Sequence, residues 1–320
     1  MPLQKAGKRS QETSASSVEP SGDFGELSRA VRSQEIFCLL SSFLLIFFSY
    51  IPPLLADKGE QPPIKAAQGE AFIFKLAPGQ DTTAIKGSLL GREVPFFKLE
   101  EGLYGALIGI DMEDEAGIHQ LRVEISKRDG QSLSNIYPIK VIPGKFKIED
   151  LTMPKDMVDL DDESLKRVAI EKTKTIEILS KITAERFWKG AFIMPAEGRL
   201  IENFGYRRRL NGEARSPHNG IDISAPTGTE IHAGNDGTVV LADDLFFGGK
   251  SIYIDHGLGA YTFYSHLSQI NVSLGDKVRR GDLIGLVGSS GRATGPHLHW
   301  GMKINGARIN PISVTRALKE

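Results

Sequence analysis

The sequence predicts a mainly β protein in which two β-rich regions are joined by one helix. Three observations point there. From Ile64 to Gly144, short apolar or alternating runs recur between turn residues, the pattern of a small β-sandwich. From Phe192 to Pro311 a second series of short strands appears, richer in glycine and β-branched residues. Between the two, apolar residues fall three to four apart, the spacing of a helix.

Composition sets the outer limits. A chain of 320 residues, 40% apolar and 25% charged, can bury the cores of two or three compact units. A net charge of -1 gives no reason to expect a nucleic-acid partner. The single cysteine, Cys38, rules out a disulfide within the chain and any cysteine-rich metal site. A bound metal must therefore draw on His, Asp or Glu, with seven histidines to choose from.

The elements follow in order. Residues 1–35 are polar, with serine and mixed charges, and read as a disordered cytoplasmic N-terminus. Residues 36–56 (IFCLLSSFLLIFFSYIPPLLA) carry no charge. A membrane-spanning helix needs roughly 20 apolar residues and a signal peptide has about 7–15, so this run lies between the two. Arg29 and Arg32 precede it, which places the N-terminus inside and everything after Ala56 outside the cytoplasmic membrane. A single-pass anchor is expected, because the polar lead is long and Leu54-Leu55-Ala56 is a poor cleavage site. A cleaved signal peptide is the alternative, and a start of translation near Leu27 would favour it.

Residues 57–63 (DKGEQPP) form a linker. The β-sandwich region spans 64–144, with strands expected at AFIFKL, VPFFKL, LYGALIGI, HQLRVEI and YPIKVI. Its lone histidine, His119, is expected to be solvated or satisfied by a structural hydrogen bond. Residues 145–190 form a connector holding a helix at about 161–184, opened by Asp161-Asp162-Glu163. Leu165, Val168, Ile176, Leu179 and Ile182 form its apolar stripe, expected to pack on a neighbouring domain. Residues 191–315 form the last, all-β domain.

Four of the seven histidines lie in three short pieces of that last domain. In Ser216–Ser224, His218 and Asp222 are four apart, beside Gly220 and β-branched residues that disfavour a helix; in an extended chain they share a face. In Gly295–Trp300, His297 and His299 share a face with Leu298 turned away. His266 follows an alternating strand in Tyr264–Leu267. Zinc suits this set of donors. Its catalytic sites use three protein ligands, such as two histidines and a carboxylate, and leave a position open for water. The two histidines left over suit acid–base work. His256 and His232 are expected to be structural. Arg199, Arg207, Arg208, Arg209 and Arg215 either meet substrate carboxylates near the cleft or sit on a solvated loop.

Phe204-Gly-Tyr-Arg-Arg208, Asn211-Gly212, PHNGIDISAPTGTEI from Pro217, YSHL from Tyr264 and GSSGRATGPHLHW from Gly288 closely resemble the lysostaphin/LytM-type metallopeptidases. The resemblance is strongest over about 192–311, and the preceding β region and helix look like those of an exported Gram-negative branch. It implies a fold related to the barrel-sandwich hybrid and one Zn2+ per chain, held by His218, Asp222 and His299. It also implies catalytic roles for His266 and His297. The activity implied is hydrolysis of the stem or cross-bridge peptides of peptidoglycan. The D-alanyl–diaminopimelate cross-link is the expected bond, with glycine bridges as runner-up.

Two other functions compete. A zinc-free, inactive member of the family could act as an activator of other cell-wall hydrolases, but every expected ligand is present. The run from Val272 to Gly288 also resembles the hammerhead half of biotinyl/lipoyl-type domains. Such a carrier would present a lysine on a hairpin and leave the histidines without a role. Control of the cleft by the β region or the helix is a further expectation. The oligomeric state is left open.

Overall fold

The computed structural model describes residues 62–152 and 159–318. The segments 1–35 and 36–56, and all but the end of the 57–63 linker, lie outside the described residues. Among the described residues no helix is long and apolar enough to cross a membrane.

Nine strands precede the helix: β1 (Ile64–Ala67), β2 (Ala71–Leu76), β3 (Thr82–Leu89), β4 (Arg92–Pro95), β5 (Phe97–Glu100), β6 (Leu103–Gly109), β7 (Gly117–Lys127), β8 (Ser132–Ile142) and β9 (Ile148–Leu151). Two sheets, in the orders β1-β8-β7-β3-β4 and β2-β6-β5, enclose a core that includes Phe74, Leu76, Ile108, Leu121, Ile125 and Ile139. The alternation in HQLRVEI explains the burial. Leu121, Val123 and Ile125 are fully buried while Arg122 and Glu124 are exposed, because successive side chains of a strand point to opposite faces. β9 leaves this sandwich. It pairs in parallel with a strand of the C-terminal region, so part of the expected connector is structured.

α1 (Asp162–Leu179) begins where the acidic run predicts. Asp161 is its N-cap, accepting the Ser164 N–H at 2.8 Å. It ends about five residues sooner than expected. The following segment is drawn onto the C-terminal region, where the Tyr261 hydroxyl donates to the Lys181 carbonyl and the Leu258 N–H to that of Thr183. The expected stripe is also corrected: α1 has no buried residue, and Leu165 and Ile176 are exposed. The helix is held through polar groups instead. Arg167 donates to the Asp244 carbonyl, Lys174 pairs with Asp243, and Glu171 accepts the Phe246 N–H.

The C-terminal region holds β10 (Arg199–Ile201), β11 (Arg207–Leu210), β12 (Glu213–Ala214), β13 (Gly220–Ser224), β14 (Glu230–His232), β15 (Gly237–Leu245), β16 (Gly249–Asp255), β17 (Ala260–Ile270), β18 (Lys277–Val278), β19 (Leu283–Val287), β20 (His297–Ile304), β21 (Ala307–Ile309) and α2 (Pro311–Ala317). Ten of these strands form one sheet with the spine β10-β13-β20-β17-β16-β15-β18. β11 joins β9 and β12 in a separate three-stranded sheet. Ile221, Ile223, Ile252, Ile254, Leu298 and Trp300 form the main core of the region.

The two β regions share a second core. Ala71, Phe97 and Leu107 cluster with Trp188, Phe192, Leu258, Ile304 and Ile309. Trp188, 2% exposed, belongs to this packing although the sequence places it in the connector. At the edge of the shared core Arg308 donates to both Asp111 oxygens and to Glu113.

Candidate metal centre

Strand register brings the site together. β13 and β20 are antiparallel with Asp222 opposite His299 and Ser224 opposite His297, and β20 meets β17 with His299 opposite Ser265. The period of two then puts His297 and His299 on one face and sends Leu298, fully buried, to the other. His218 lies just before β13 and is fixed at both main-chain groups. Its N–H donates to the Tyr206 carbonyl at 3.0 Å and its carbonyl accepts the Gly205 N–H at 2.8 Å.

Three ligand atoms converge here. His218 Nε2 lies 2.8 Å from His299 Nδ1 and 3.2 Å from Asp222 Oδ1, and His299 Nδ1 lies 3.1 Å from the same oxygen. A tetrahedral zinc about 2.0–2.1 Å from each ligand would hold such atoms roughly 3.3 Å apart, close to these separations. The tautomers agree. His218 Nδ1–H donates to the Asn203 carbonyl at 3.0 Å, and His299 Nε2–H donates to Asn219 Oδ1 at 3.1 Å. Each ring therefore turns a lone pair toward the carboxylate. A cation reconciles three acceptors aimed at one point, so the residues fit the ion.

The electrostatics agree with the geometry. Burial would raise the pKa of Asp222; without a cation, only protonated His218 and His299, through their hydrogen bonds and charge, outweigh it and hold the carboxyl well below the usual range, the work a bound cation would do between neutral rings. Burial pushes His299 down to about 4, against the pull of Asp222.

His266 and His297 stand beside this cluster. Their ring centroids are 4.8 Å apart, and His297 Nε2 is 3.8 Å from Asp222 Oδ1. His266 is aimed by an irregularity that no alternating pattern shows. The β16–β17 register shifts between Lys250 and Ile252, and His266 itself has φ +67°, rare outside glycine. Its N–H donates to the Gly248 carbonyl at 2.7 Å and its Nδ1–H to the Ser290 carbonyl at 2.8 Å. His297 Nδ1–H donates to the Gly295 carbonyl at 2.8 Å. Both rings thus keep Nε2 for other chemistry. Burial, then the neighbouring His299 and His297, lower the His266 pKa to about 3, so the ring is neutral near pH 7.

The other sequence candidates fall elsewhere. His256 is fully buried, bonded to the Asp236 carbonyl and Thr262 Oγ1. His232 Nδ1 bonds the Gly281 carbonyl and His119 Nε2 the Glu115 carbonyl. Of the arginines, Arg208 reaches the site, with Nη2 3.7 Å from Asp222 Oδ2 and Nε 3.1 Å from Glu149. Arg207 pairs with Glu113, Arg209 with Asp150 and Arg215 with Glu213. Arg199 sits in β10 opposite Ser224. Sequence reasoning missed Asn203, Asn219 and Ser290. Asn203 is 4% exposed, and its side chain donates to Asp222 Oδ2 at 2.7 Å. The only sequence signal was a polar residue directly before the Phe204-Gly205 turn.

Comparison with known proteins agrees with this geometry. Residues 216–311 match the model of peptidase family M23. The DD-carboxypeptidase/endopeptidase Mpg of Neisseria meningitidis serogroup B is 42% identical over 116 residues, 36% of this chain and 27% of that protein. The peptidoglycan DD-endopeptidase ShyA of Vibrio cholerae is 42% identical over 113 residues, 35% of this chain and 26% of that protein. The matched stretch thus spans about a quarter of the length of these relatives. A putative peptidase M23 from Pseudomonas aeruginosa has a crystal structure that is similar over 81% of this chain and 97% of its own, with TM-score 0.61 and 28% identity. The chain therefore carries a peptidase family M23 domain, the lysostaphin/LytM type of metallopeptidase.

Proposed function

We propose that the chain is a zinc-dependent endopeptidase that hydrolyses peptide cross-links of peptidoglycan. The observation that carries this is the convergence of His218 Nε2, His299 Nδ1 and Asp222 Oδ1 beside two further imidazoles that keep Nε2 available. Relatives that match across these residues are named peptidoglycan DD-endopeptidases, which supports a D-alanyl–diaminopimelate bond over a glycine bridge. Residues 36–56, as membrane anchor or signal segment, would place the domain outside the cytoplasmic membrane, where that substrate lies.

Bound zinc would supply a Lewis acid and a water acidified toward neutral pH. The remaining work falls to the chain. A neutral histidine whose Nδ1–H is committed to a backbone carbonyl can accept a proton at Nε2 and later donate it to the leaving amine. The second imidazole, in its protonated form with an N–H at Nε2 as well as at Nδ1, would stabilise the charge that grows on the carbonyl oxygen. His266 and His297 share these two roles. Asp222 stays ionised and balances the ion's charge.

Mass spectrometry of muropeptides tests the proposal. Cross-linked dimers from Gram-negative sacculi should convert to monomers with the zinc-loaded protein, and should persist after chelation or with His218→Ala. Dimers left intact by protein holding one zinc per chain would sink it.

A further inference from the structure

The turn between β15 and β16 connects α1 to the metal centre. Toward α1, the Phe246 N–H donates to Glu171 Oε2 at 2.8 Å, and the Asp244 carbonyl accepts from Arg167 Nη2 at 2.7 Å. Toward the metal centre, the Phe247 carbonyl accepts the Arg292 N–H at 2.9 Å and the Gly248 carbonyl accepts the His266 N–H at 2.7 Å. Three consecutive residues thus lead from the helix to a proposed catalytic histidine, whose ring centroid lies 6.0 Å from that of His299.

Glu171 is the joint of this path. Its side chain is 18% exposed, and each of its oxygens accepts one bond, Oε2 from Phe246 and Oε1 from Arg167 Nε at 2.7 Å. Arg167 carries the second arm to Asp244, so one carboxylate fixes the turn at two points. Charge on the acceptor shortens and strengthens such bonds. The segment after α1 gives the clamp a firm base. The Lys181 carbonyl accepts the Tyr261 hydroxyl at 2.8 Å, the Thr183 carbonyl accepts the Leu258 N–H at 2.7 Å, and Trp188 sits in the shared core.

His266 needs such support. Its φ of +67° is strained for a residue with a Cβ, and such strain persists only where the surroundings over-determine it. Two carbonyls hold the residue, that of Ser290 at the ring and that of Gly248 at the main chain. They do not act apart. A Cβ on Gly249 would lie 2.3 Å from the Ser290 carbonyl carbon, so the turn and the Ser290 loop lean on each other. A turn that shifts takes both carbonyls with it, and Glu171 is where the turn is braced against α1.

We infer that Glu171 is a positioning residue for His266. It holds the β15–β16 turn, and through the Gly248 carbonyl the histidine, in the geometry that proton transfer requires. The inference rests on the peptidase function proposed above and extends its machinery to a residue of α1 outside the metal cluster.

Steady-state kinetics on a synthetic cross-linked peptide, with the zinc-loaded full chain, test this. Glu171→Ala should lower kcat about 10–100-fold, the range lost when a reacting group is misplaced by about 1 Å, with KM and zinc content held. Glu171→Gln, whose amide oxygen still accepts the Phe246 N–H, should recover most of that loss. Glu171→Asp keeps the charge but draws the carboxylate back by one methylene, and should lose activity as alanine does in a helix that still folds. Lys174→Met removes the α1 contact to Asp243, which lies before the turn, and should leave kcat unchanged. Imidazole nitrogen NMR spectra of the same zinc-loaded variants, with His266 assigned from His266→Ala, read the ring without turnover. A His266 shift in Glu171→Ala that reverts in Glu171→Gln, beside unmoved His256 signals, supports the positioning role even if the wild-type chain cleaves nothing, an outcome that would count against the peptidase function instead. His266 signals unmoved in Glu171→Ala, kcat unchanged by it in an active chain, or an equal loss in Lys174→Met overturns the role.

Discussion

Asn203 and Asp222 form a closed pair: the Asn203 side-chain amide donates to Asp222 Oδ2 at 2.7 Å, and the Asn203 Oδ1 accepts the Asp222 N–H at 3.2 Å. The Asn203 carbonyl also sets the tautomer of His218. One buried residue thus orients two proposed ligands. Outer partners of this kind are commonly worth 10–100-fold in metal affinity. Asn203→Ala is expected to weaken zinc binding by about that factor, as measured by competition with a chromogenic chelator. Unchanged affinity would mean that strand register alone fixes Asp222.

Gly291→Ala should uncouple metal binding from catalysis. The added methyl would strike the Gly249 main chain, and Gly291 has φ +67°. The displaced loop would carry the Ser290 carbonyl away from His266. Hydrolysis should fall by about 100-fold or more, in the range lost with a misplaced proton-transfer group, while metal analysis still finds one zinc per chain.

His256 links stability to pH. Burial pushes its pKa down to about 4, against 6.5 for the exposed ring, so the fold holds it neutral. The unfolded chain takes up the proton first as pH falls. Stability is therefore full above pH 6.5 and declines down to about pH 4, by about 2 kcal/mol between pH 7.5 and 5. His256→Gln should start less stable at pH 7.5 and lose that part of the dependence. Urea denaturation at the two pH values reads the difference.

Arg308→Ala strips partners from Asp111, which is 7% exposed. Burial would raise the Asp111 pKa, and hydrogen bonds from Arg308 more than offset it, so the carboxyl ionises below its ordinary value. Its stabilising contribution is present at neutral pH and is lost as pH falls through that lowered value. Removing the arginine should lower stability by about 1–3 kcal/mol at pH 7, seen as a drop in Tm that narrows at low pH.

Much of this site could be read from residue order because its geometry is local. His297 and His299 alternate along one strand, and His218 and Asp222 flank the start of another, so a period of two already groups them. Three features escaped. The direction of His266 depends on a bulge set by pairing with β16. The role of Asn203 depends on strands that meet only in the fold. The stripe on α1 had helical spacing, yet Arg167, Glu171 and Lys174 decide how the helix is held. Apolar period predicts that a helix forms, and polar partners distant in sequence decide which side it presents.

The parallel pairing of β9 with β11 bears on how the peptidase region can be isolated. A fragment cut at residue 190 would lose β9, leaving β11 with a bare row of main-chain donors and acceptors. Phe146, which packs on Phe204, and Trp188 would go with it. Open strand edges and uncovered aromatic surface recruit other chains. Such a fragment is prone to self-association, and a low rate measured on it would report sticking rather than restraint. A cut before Ile64 keeps the edge covered and is the sounder starting point.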